Sequence, residues 1–304
     1  HFWSKFKISN LKKIHASITA VGSYLPEKIL TNADLEKLVD TSDDWILTRT
    51  GIKERRILEE GIGVSFMAIN AAKSILDKKK INPLDIDMVI VATITPDMYV
   101  TATAAYVASE IGANNAFGYD LHAACSGFLY GMSTASAFIE SGRYKKILLI
   151  GADKMSSIVD YKQRNTCIIF GDGAGAVLLE PNTEGLGVQD EYLRSNGIGR
   201  AFLRIESGGS QTPTTLETVK SKKHFIYQDG KNVFKYAVSN MADASEEIMK
   251  RNNLTNLDVN YLISHQANKR IIDATANRMG IIEEKVLMNI QRYGNTTAAT
   301  IPLI

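Results

Sequence analysis

Three separated polar groups in this chain have the residue types needed for acyl chemistry. Cys125, His265 and Asn295 each stand in a short polar stretch that interrupts an otherwise apolar run. A cysteine thiolate can hold an acyl group covalently, while a neutral imidazole and a carboxamide can hydrogen-bond the oxyanion of a second, activated thioester. The sequence therefore predicts a Cys-His-Asn site.

Cys125 also has a simpler interpretation. A free cysteine flanked by small residues such as Ala124 and Gly127 is more often a buried hydrophobic group than a nucleophile. A position at a helix N-terminus favours the nucleophile, because unpaired backbone N–H groups there lower the pKa of the thiol. We expect that position for Cys125 and a core position for Cys167, which lies in an apolar run.

His265 and Asn295 have structural alternatives as well. A single histidine after an apolar strand is more often a structural group than a catalyst, but the polar residues that follow His265 suggest a loop lining a functional cavity. Asn295 could equally cap a helix. A weak internal duplication of the chain, which sets Asn295 beside the counterpart of Cys125, favours a place in the Cys-His-Asn site.

Composition excludes several classes of function. The 304 residues carry 35 basic and 33 acidic side chains, a formal charge of +2, so no general field attracts nucleic acid or an anionic membrane. Two cysteines do not make a disulfide framework and favour a reducing cytoplasm. No apolar run approaches the roughly 20 residues of a spanning helix. No Cys or His pair has the spacing of metal ligands, so no metal is expected.

The order of apolar patterns indicates an α/β protein. Residues 87–92 and 146–151 are near-continuous apolar runs, typical of buried strands, and residues 66–77 have a helical period. Such alternation favours a mainly parallel sheet covered on both faces. Residues 1–13 are basic and contain no acid, and we expect them to be a leader or tag outside the fold.

A weak internal duplication relates the polar groups to each other. Residues 84–90 resemble residues 257–263, and residues 117–121 correspond to residues 286–290. Two similar halves are therefore predicted, residues 14–185 and 186–304. In this register Cys125 falls opposite Gly294, next to Asn295, and both lie past the carboxyl ends of equivalent strands, where ligand sites of α/β sheets gather.

The glycine-rich residues 170–176 do not fit a dinucleotide loop. Their glycines run into the strand-like residues 177–179, whereas such a loop leaves a strand and opens a helix. We expect the small residues to permit close backbone packing or the approach of a ligand.

The chain from Ile14 onward resembles the β-ketoacyl-acyl-carrier-protein synthase III family, the initiating condensing enzymes of type II fatty acid synthesis in the thiolase superfamily. The motifs that carry the resemblance are residues 22–26, 40–46, 49–52, 123–128, 170–176, 265–268 and 294–296. The resemblance implies a five-layered αβαβα thiolase-like fold with two duplicated halves, mixed and mainly parallel sheets, and a homodimer.

The resemblance also implies roles for the three residues. Cys125 would be acylated by a short acyl-CoA, acetyl-CoA in the first place, with release of CoA. His265 and Asn295 would then hydrogen-bond the thioester of malonyl-acyl-carrier protein while decarboxylation forms the carbanion that attacks the acyl-cysteine. The products would be a 3-ketoacyl-carrier protein and CO2. No cofactor is implied beyond the CoA thioester, which is a substrate.

Further residues would bind the two substrates. The resemblance assigns CoA contacts to Thr41, Trp45, Arg49, Arg164 and Asn268, with Trp45 and Arg164 on either side of the adenine and Arg49 at the phosphates. It assigns docking of the acidic carrier protein to Lys235, Arg270 and Arg278. Ordinary packing for Trp45 and a solvated surface for the arginines are the alternatives.

The chain departs from the family pattern in two places. Family members continue after Ile304 with a glycine-rich loop, so we expect the sequence to be a fragment or incompletely represented. A proline common in the family is missing near residues 97–101, which leaves the primer preference open.

Elongating condensing enzymes would need a second histidine where this chain has Asn295, and degradative thiolases would need a second catalytic cysteine. A polyketide synthase, a hydroxymethylglutaryl-CoA synthase or a catalytically silent partner subunit are the alternatives.

Overall fold

The computed structural model describes residues 13–304. The predicted leader lies almost wholly outside these residues and stays a prediction. The helices are Asn32–Glu36 (α1), Asp43–Thr50 (α2), Val64–Lys79 (α3), Thr103–Glu110 (α4), Gly127–Glu140 (α5), Arg164–Cys167 (α6), Leu216–Lys220 (α7), Gly230–Arg251 (α8), Lys269–Met279 (α9) and Ile290–Tyr293 (α10). The strands are His15–Tyr24 (β1), Ile29–Thr31 (β2), Glu54–Arg56 (β3), Met88–Ala92 (β4), Phe117–Leu121 (β5), Ile147–Lys154 (β6), Asp172–Asn182 (β7), Leu203–Ile205 (β8), Ile226–Gln228 (β9), Leu262–Ile263 (β10) and Val286–Leu287 (β11).

The main sheet is mixed, with five strands in the order β1-β7-β6-β4-β5. Strands β4, β5 and β6 are parallel, while β7 runs antiparallel to both of its neighbours, β1 and β6. The predicted buried strands at residues 87–92 and 146–151 are confirmed as β4 and β6. The predicted helix at residues 66–77 is confirmed as α3.

Strand β4 shows why its sequence is apolar at every position. Val89 and Val91 belong to the core packed beneath α3 and α4, whereas Met88 and Ile90 belong to the core beneath α5. Successive side chains of a strand point to opposite faces, so a strand covered on both sides has no polar face. Strand β4 therefore lies between two apolar layers, one on each face of the sheet.

A second, two-stranded parallel sheet pairs β10 with β11. The helix α9 connects them and α8 precedes them, so the order helix, strand, helix, strand is the same as in α3, β4, α4 and β5. This arrangement is the structural counterpart of the sequence duplication. The strand expected at residues 286–290 is shorter, because α10 already begins at Ile290. The boundary between residues 185 and 186 stays a prediction.

Glycines of the main sheet make room for residues 293–302. A Cβ on Gly151 would overlap the carbonyl oxygen of Ala298, and one on Gly171 would overlap that of Tyr293. A Cβ on Gly175 would lie 2.6 Å from the carbonyl carbon of Pro302. Residues 170–176 therefore serve close backbone packing, as predicted, and their last five residues open β7 instead of a helix.

Candidate active site

Cys125 lies at a sharp turn between a strand and a helix. It is the middle residue of the 3-10 turn Ala124–Ser126, which follows the end of β5 and leads directly into α5. Ala124 has φ of +47°, a left-handed conformation that costs about 1–3 kcal/mol in a residue with a Cβ. The turn thus presents the half-buried Cys125 at the carboxyl end of the parallel strands, the position that the sequence predicts.

Asn295 is held on both sides by its backbone and its side chain. Its amide donates to the carbonyl of Ile169 over 2.9 Å, and its carbonyl accepts from the amide of Gly171 over 3.1 Å. The side-chain Oδ1 accepts from the amide of Thr297 over 2.9 Å. Since a carboxamide has one oxygen and one nitrogen, Nδ2 points away from that turn, and it donates to no protein atom among residues 13–304. Asn295 therefore caps a turn and also presents a donor.

His265 follows β10 and is held through one ring nitrogen. Nδ1 lies 2.6 Å from Oγ1 of Thr300, while Nε2 is buried and has no hydrogen-bond partner in the described part of the chain. Burial lowers the pKa of His265 to about 4. The imidazole is therefore neutral near pH 7, as the proposed chemistry requires.

A single segment, residues 295–300, brings the three residues together. It begins with Asn295 and ends with Thr300, the partner of His265. Between them, the 3-10 turn Thr297–Ala299 packs against the Ala124–Ser126 turn and against the end of β6. The cysteine, the histidine and the asparagine thus meet around one short piece of backbone.

Asp153, in β6, is a buried carboxylate that our sequence reasoning missed. It is 0% exposed and accepts hydrogen bonds from Thr93 Oγ1, the Ile94 amide, Thr95 Oγ1 and the Ala298 amide at 3.0, 2.8, 2.9 and 3.2 Å. Burial raises the pKa of Asp153 to about 6. Its place at the carboxyl end of an apolar strand is close to the signal that pointed to Cys125 and His265.

The pKa of Cys125 is shifted in the direction opposite to the predicted one. Burial, with a further contribution from the negative charge of Asp153, raises the pKa of the Cys125 thiol to about 12. A thiolate loses its hydration when it is buried, so burial opposes the favourable effect expected of a helix N-terminus. Cys167, in contrast, is a buried core residue as predicted.

Of the predicted CoA residues, Thr41, Trp45 and Arg164 lie at the N-terminal ends of α2 and α6, whereas Arg49 lies in the last turn of α2. The guanidinium carbon of Arg164 lies 4.8 Å from the ring centroid of Trp45, and that of Arg49 lies 5.9 Å away. Arg164 also donates to the carbonyl of Asp40 over 3.0 Å. Because Arg164 rests directly on the indole, an adenine can enter between them only if the two side chains separate. Thr41 has a buried, unpartnered Oγ1 within residues 13–304.

Asn268 is already engaged within the protein. Its Nδ2 donates to the carbonyl of Arg49 over 2.9 Å, and its Oδ1 caps α9 through the amide of Arg270, also over 2.9 Å. The side chain therefore ties α2 to the start of α9. A direct contact of Asn268 with CoA would require one of these bonds to break.

The predicted docking residues differ in their surroundings. Arg278 forms ion pairs with Asp243 and Glu246 at 3.1 and 2.8 Å, so its charge is largely compensated. The guanidinium of Arg270 lies 4.7 Å from the ring centroid of Phe234. Lys235 is exposed and forms no ion pair in the part of the chain that the structure describes. Arg270 and Lys235 therefore present the more available charges.

Two further features are absent from residues 13–304. No group of three or more His, Cys, Asp or Glu side chains is arranged to hold a metal ion. No helix there is both long and apolar enough to cross a membrane.

Solved structures share this fold. The synthase III of Aquifex aeolicus is 40% identical and superposes with a TM-score of 0.83, covering 95% of this chain and 88% of that one. The priming β-ketosynthase of the R1128 polyketide pathway is 32% identical, with a TM-score of 0.88 and coverage of 95% and 86%. The mixed α/β architecture and these likenesses define a condensing enzyme of thiolase-like fold.

Sequence relatives narrow this class to one family. β-Ketoacyl-[acyl-carrier-protein] synthase III 2 of Bacteroides thetaiotaomicron is 55% identical over 96% of this chain and 88% of its own length. The synthase III of Chlorobaculum tepidum is 57% identical over 95% and 88%. Family models described as 3-oxoacyl-[acyl-carrier-protein] synthase III and its C-terminal part match residues 119–197 and 249–304. The chain belongs to the 3-oxoacyl-acyl-carrier-protein synthase III family.

Proposed function

We propose that this protein condenses acetyl-CoA, or a similarly short acyl-CoA, with malonyl-acyl-carrier protein and so initiates fatty acid synthesis. The observation that supports the proposal is a pair of neutral polar groups that have no hydrogen-bond partner among residues 13–304. Asn295 Nδ2 belongs to the segment packed against the Cys125 turn, and His265 Nε2 belongs to a ring that Thr300 of the same segment holds. Such groups stabilise charge that develops on a thioester oxygen better than mobile water does.

In the acylation half-reaction, Cys125 takes over the acyl group. Its sulfur bonds to the acyl carbon, the carbon–sulfur bond to CoA breaks, and the thiol proton leaves with CoA as its thiol, so no net proton is consumed. Because the pKa of the thiol is raised to about 12, the resting group is protonated and its proton must move as the substrate binds. The sulfur of the departing CoA is the group in our proposal that receives it.

In the condensation half-reaction, the bond between the malonyl methylene and its carboxylate breaks and CO2 leaves. The electron pair spreads onto the thioester oxygen, to which we assign hydrogen bonds from His265 and Asn295. The resulting carbanion attacks the acyl carbon on Cys125, and the carbon–sulfur bond to the cysteine breaks. The cysteine sulfur then regains one proton from water.

The proposal includes a homodimer. Strand β5 is an edge of the main sheet, and Met98 and Tyr99 are 65% and 80% exposed in the loop after β4. Val100, fully exposed beside them, has φ of +82°, which is rare for a β-branched residue. An exposed strand edge beside a protruding apolar loop favours pairing with a second copy. A dimer in sedimentation, lost in Tyr99→Asp, is the expected result.

The proposed substrates and partners also fit the chain's other features. We assign Trp45, Arg49, Arg164, Thr41 and Asn268 to CoA, and Lys235, Arg270 and Arg278 to the carrier protein. A cytoplasmic location is part of the same proposal and is supported by the two free cysteines. A second candidate, priming of a polyketide, is supported by the TM-score of 0.88 to the R1128 enzyme.

Labelling of the cysteine tests the proposed function. We expect radiolabelled acetyl-CoA to acylate the wild-type protein and the matched variant Cys167→Ala, but not Cys125→Ala. The variant His265→Ala should still be acylated yet decarboxylate malonyl-carrier protein about 100-fold more slowly or worse. Absence of label on the wild-type protein would contradict the proposal. Turnover only with a polyketide carrier protein would instead select the second candidate.

A further inference from the structure

We propose that Thr300 is a positioning residue that sets the tautomer of His265. Its hydroxyl donates to Nδ1, so that the single N–H of the neutral imidazole is on Nε2 and can meet a substrate oxygen. This inference deepens the proposed function and rests on it. It concerns a residue outside the Cys125, His265 and Asn295 set.

The surroundings of Thr300 leave its hydroxyl two arrangements. Oγ1 lies 2.6 Å from His265 Nδ1 and 3.1 Å from the carbonyl oxygen of Thr297, and Thr300 is only 2% exposed. A hydroxyl has one hydrogen. If that hydrogen goes to Nδ1, then Nε2 carries the N–H. If that hydrogen goes to the carbonyl of Thr297, then Nδ1 must carry the N–H and donate to Oγ1, and Nε2 has only a lone pair.

The distances favour donation to the histidine. Hydroxyl-to-oxygen hydrogen bonds are most often about 2.7–2.8 Å long, so 3.1 Å to Thr297 is a long contact, whereas 2.6 Å to Nδ1 is a short one. A bare Nε2 would also repel the lone pairs of a thioester oxygen. The tautomer of a histidine is generally set by the partner of its other nitrogen, and Thr300 is that partner here.

The same turn holds Thr300 and Asn295 in a fixed relation. Thr297 has φ of +54°, a left-handed conformation that is rare for a β-branched residue. In this conformation its amide donates to Oδ1 of Asn295, and its carbonyl faces Thr300. One strained residue therefore orients both polar groups of the site, directly for Asn295 and through Thr300 for His265.

Two substitutions separate tautomer control from simple packing. Thr300→Val keeps the shape and removes the hydroxyl, whereas Thr300→Ser keeps the hydroxyl. We expect Thr300→Val to slow decarboxylation about 10-fold or more while acylation of Cys125 by acetyl-CoA is unchanged, and Thr300→Ser to restore most of the rate. Equal loss of both steps, without rescue by Thr300→Ser, would mean a structural role and overturn the proposal.

Nitrogen NMR of the 15N-histidine-labelled protein reads the tautomer without any turnover. We expect the wild-type His265 signal to show a protonated Nε2 and an unprotonated Nδ1, and Thr300→Val to shift population towards protonated Nδ1. A wild-type spectrum with the hydrogen on Nδ1 contradicts the proposal even if the enzyme is active. If Cys125 takes up no acyl group, the proposed function fails, but the spectrum still decides the role of Thr300.

Discussion

Asp153 accepts a hydrogen bond from the backbone amide of Ala298, 3.2 Å away and 145 residues later in the chain. The same carboxylate holds Thr93, Ile94 and Thr95, which follow the neighbouring strand β4. Asp153 therefore joins the strand ends of the main sheet to the segment that carries Asn295 and the partner of His265. Its charge also acts on Cys125.

Asp153→Asn should make the Cys125 thiol easier to ionise. Removing the nearby negative charge lowers the pKa of the thiol, so alkylation by iodoacetamide should follow a profile shifted to lower pH, measured in a Cys167→Ala background. The control is Asp87→Asn, whose carboxylate accepts the amides of Lys145 and Lys146 at the opposite end of the strands. A profile that moves equally in both variants would mean that Asp153 has no specific effect on the thiol.

Asp153→Asn should also destabilise the fold by about 1–3 kcal/mol. Four donors surround the carboxylate, and the NH2 group of an asparagine cannot accept a hydrogen bond from the donor that it faces. This loss is expected in urea unfolding at pH 7.

Stability near pH 5 should reflect two opposing groups. The unfolded pKa of His265 is 6.5 and the folded pKa about 4, so between these values only the unfolded chain binds the proton and stability falls as pH falls. For Asp153 the unfolded value is 3.8 and the folded value about 6, so the folded protein binds the proton first and stability rises as pH falls. Each contribution is about 3 kcal/mol, and the two have opposite signs.

Substituting one group at a time exposes the other. Relative to wild type, His265→Asn should become more stable on acidification from pH 6.5 to 4, and Asp153→Asn less stable. Urea unfolding at several pH values measures both. Parallel curves for all three proteins would contradict the assignment of these groups.

Gly151→Ala should damage the site without touching its polar residues. The new methyl group would overlap the carbonyl of Ala298 and push the Thr297–Ala299 turn away from β6, at a cost of about 1–3 kcal/mol. We expect slower decarboxylation together with the loss of stability. Gly230→Ala is the control, since a Cβ there meets no atom within 4 Å and should be neutral. Full activity of Gly151→Ala would show that the turn tolerates displacement.

CoA should separate Arg164 from Trp45. In a Trp3→Phe background Trp45 is the single tryptophan, so its fluorescence should change on titration with CoA. Loss of the cation–π partner in Arg164→Ala should weaken CoA binding by about 1 kcal/mol, roughly 5-fold. Arg143→Ala, exposed at the end of α5, serves as control. Unchanged emission at saturating CoA would remove Trp45 from the binding site.

The three predicted docking residues should not contribute equally. We expect Lys235→Ala and Arg270→Ala to raise the KM for malonyl-carrier protein, with less effect at high salt, because exposed charges are screened. Arg278→Ala should have a smaller effect, since Asp243 and Glu246 already hold its guanidinium. A malonyl thioester of pantetheine alone is the control substrate. A larger effect for Arg278→Ala than for Lys235→Ala would reverse this assignment.

Local patterns in the sequence were sufficient to predict several helices and strands and the positions of the polar residues relative to them. The apolar runs of β4 and β6 indicated strands covered on both faces, and the repeated helix–strand order indicated related halves. Cys125 was correctly expected between a strand end and a helix start. These features depend on the period of a strand or helix, which neighbouring residues express directly.

The surroundings of those residues depend on contacts between distant parts of the chain, which local patterns do not show. The pairing of His265 with Thr300, the burial of Asp153 and the raised pKa of Cys125 arise from residues distant in the chain that come together on folding. The contact of Arg164 with Trp45 and the ion pairs of Arg278 also join residues that are distant in the chain. Burial and hydrogen-bond partners determine protonation and tautomer, and no local period encodes them. Local sequence thus shows which groups are available for the chemistry, whereas the packing of residues 295–300 against the main sheet sets their protonation and their hydrogen bonds.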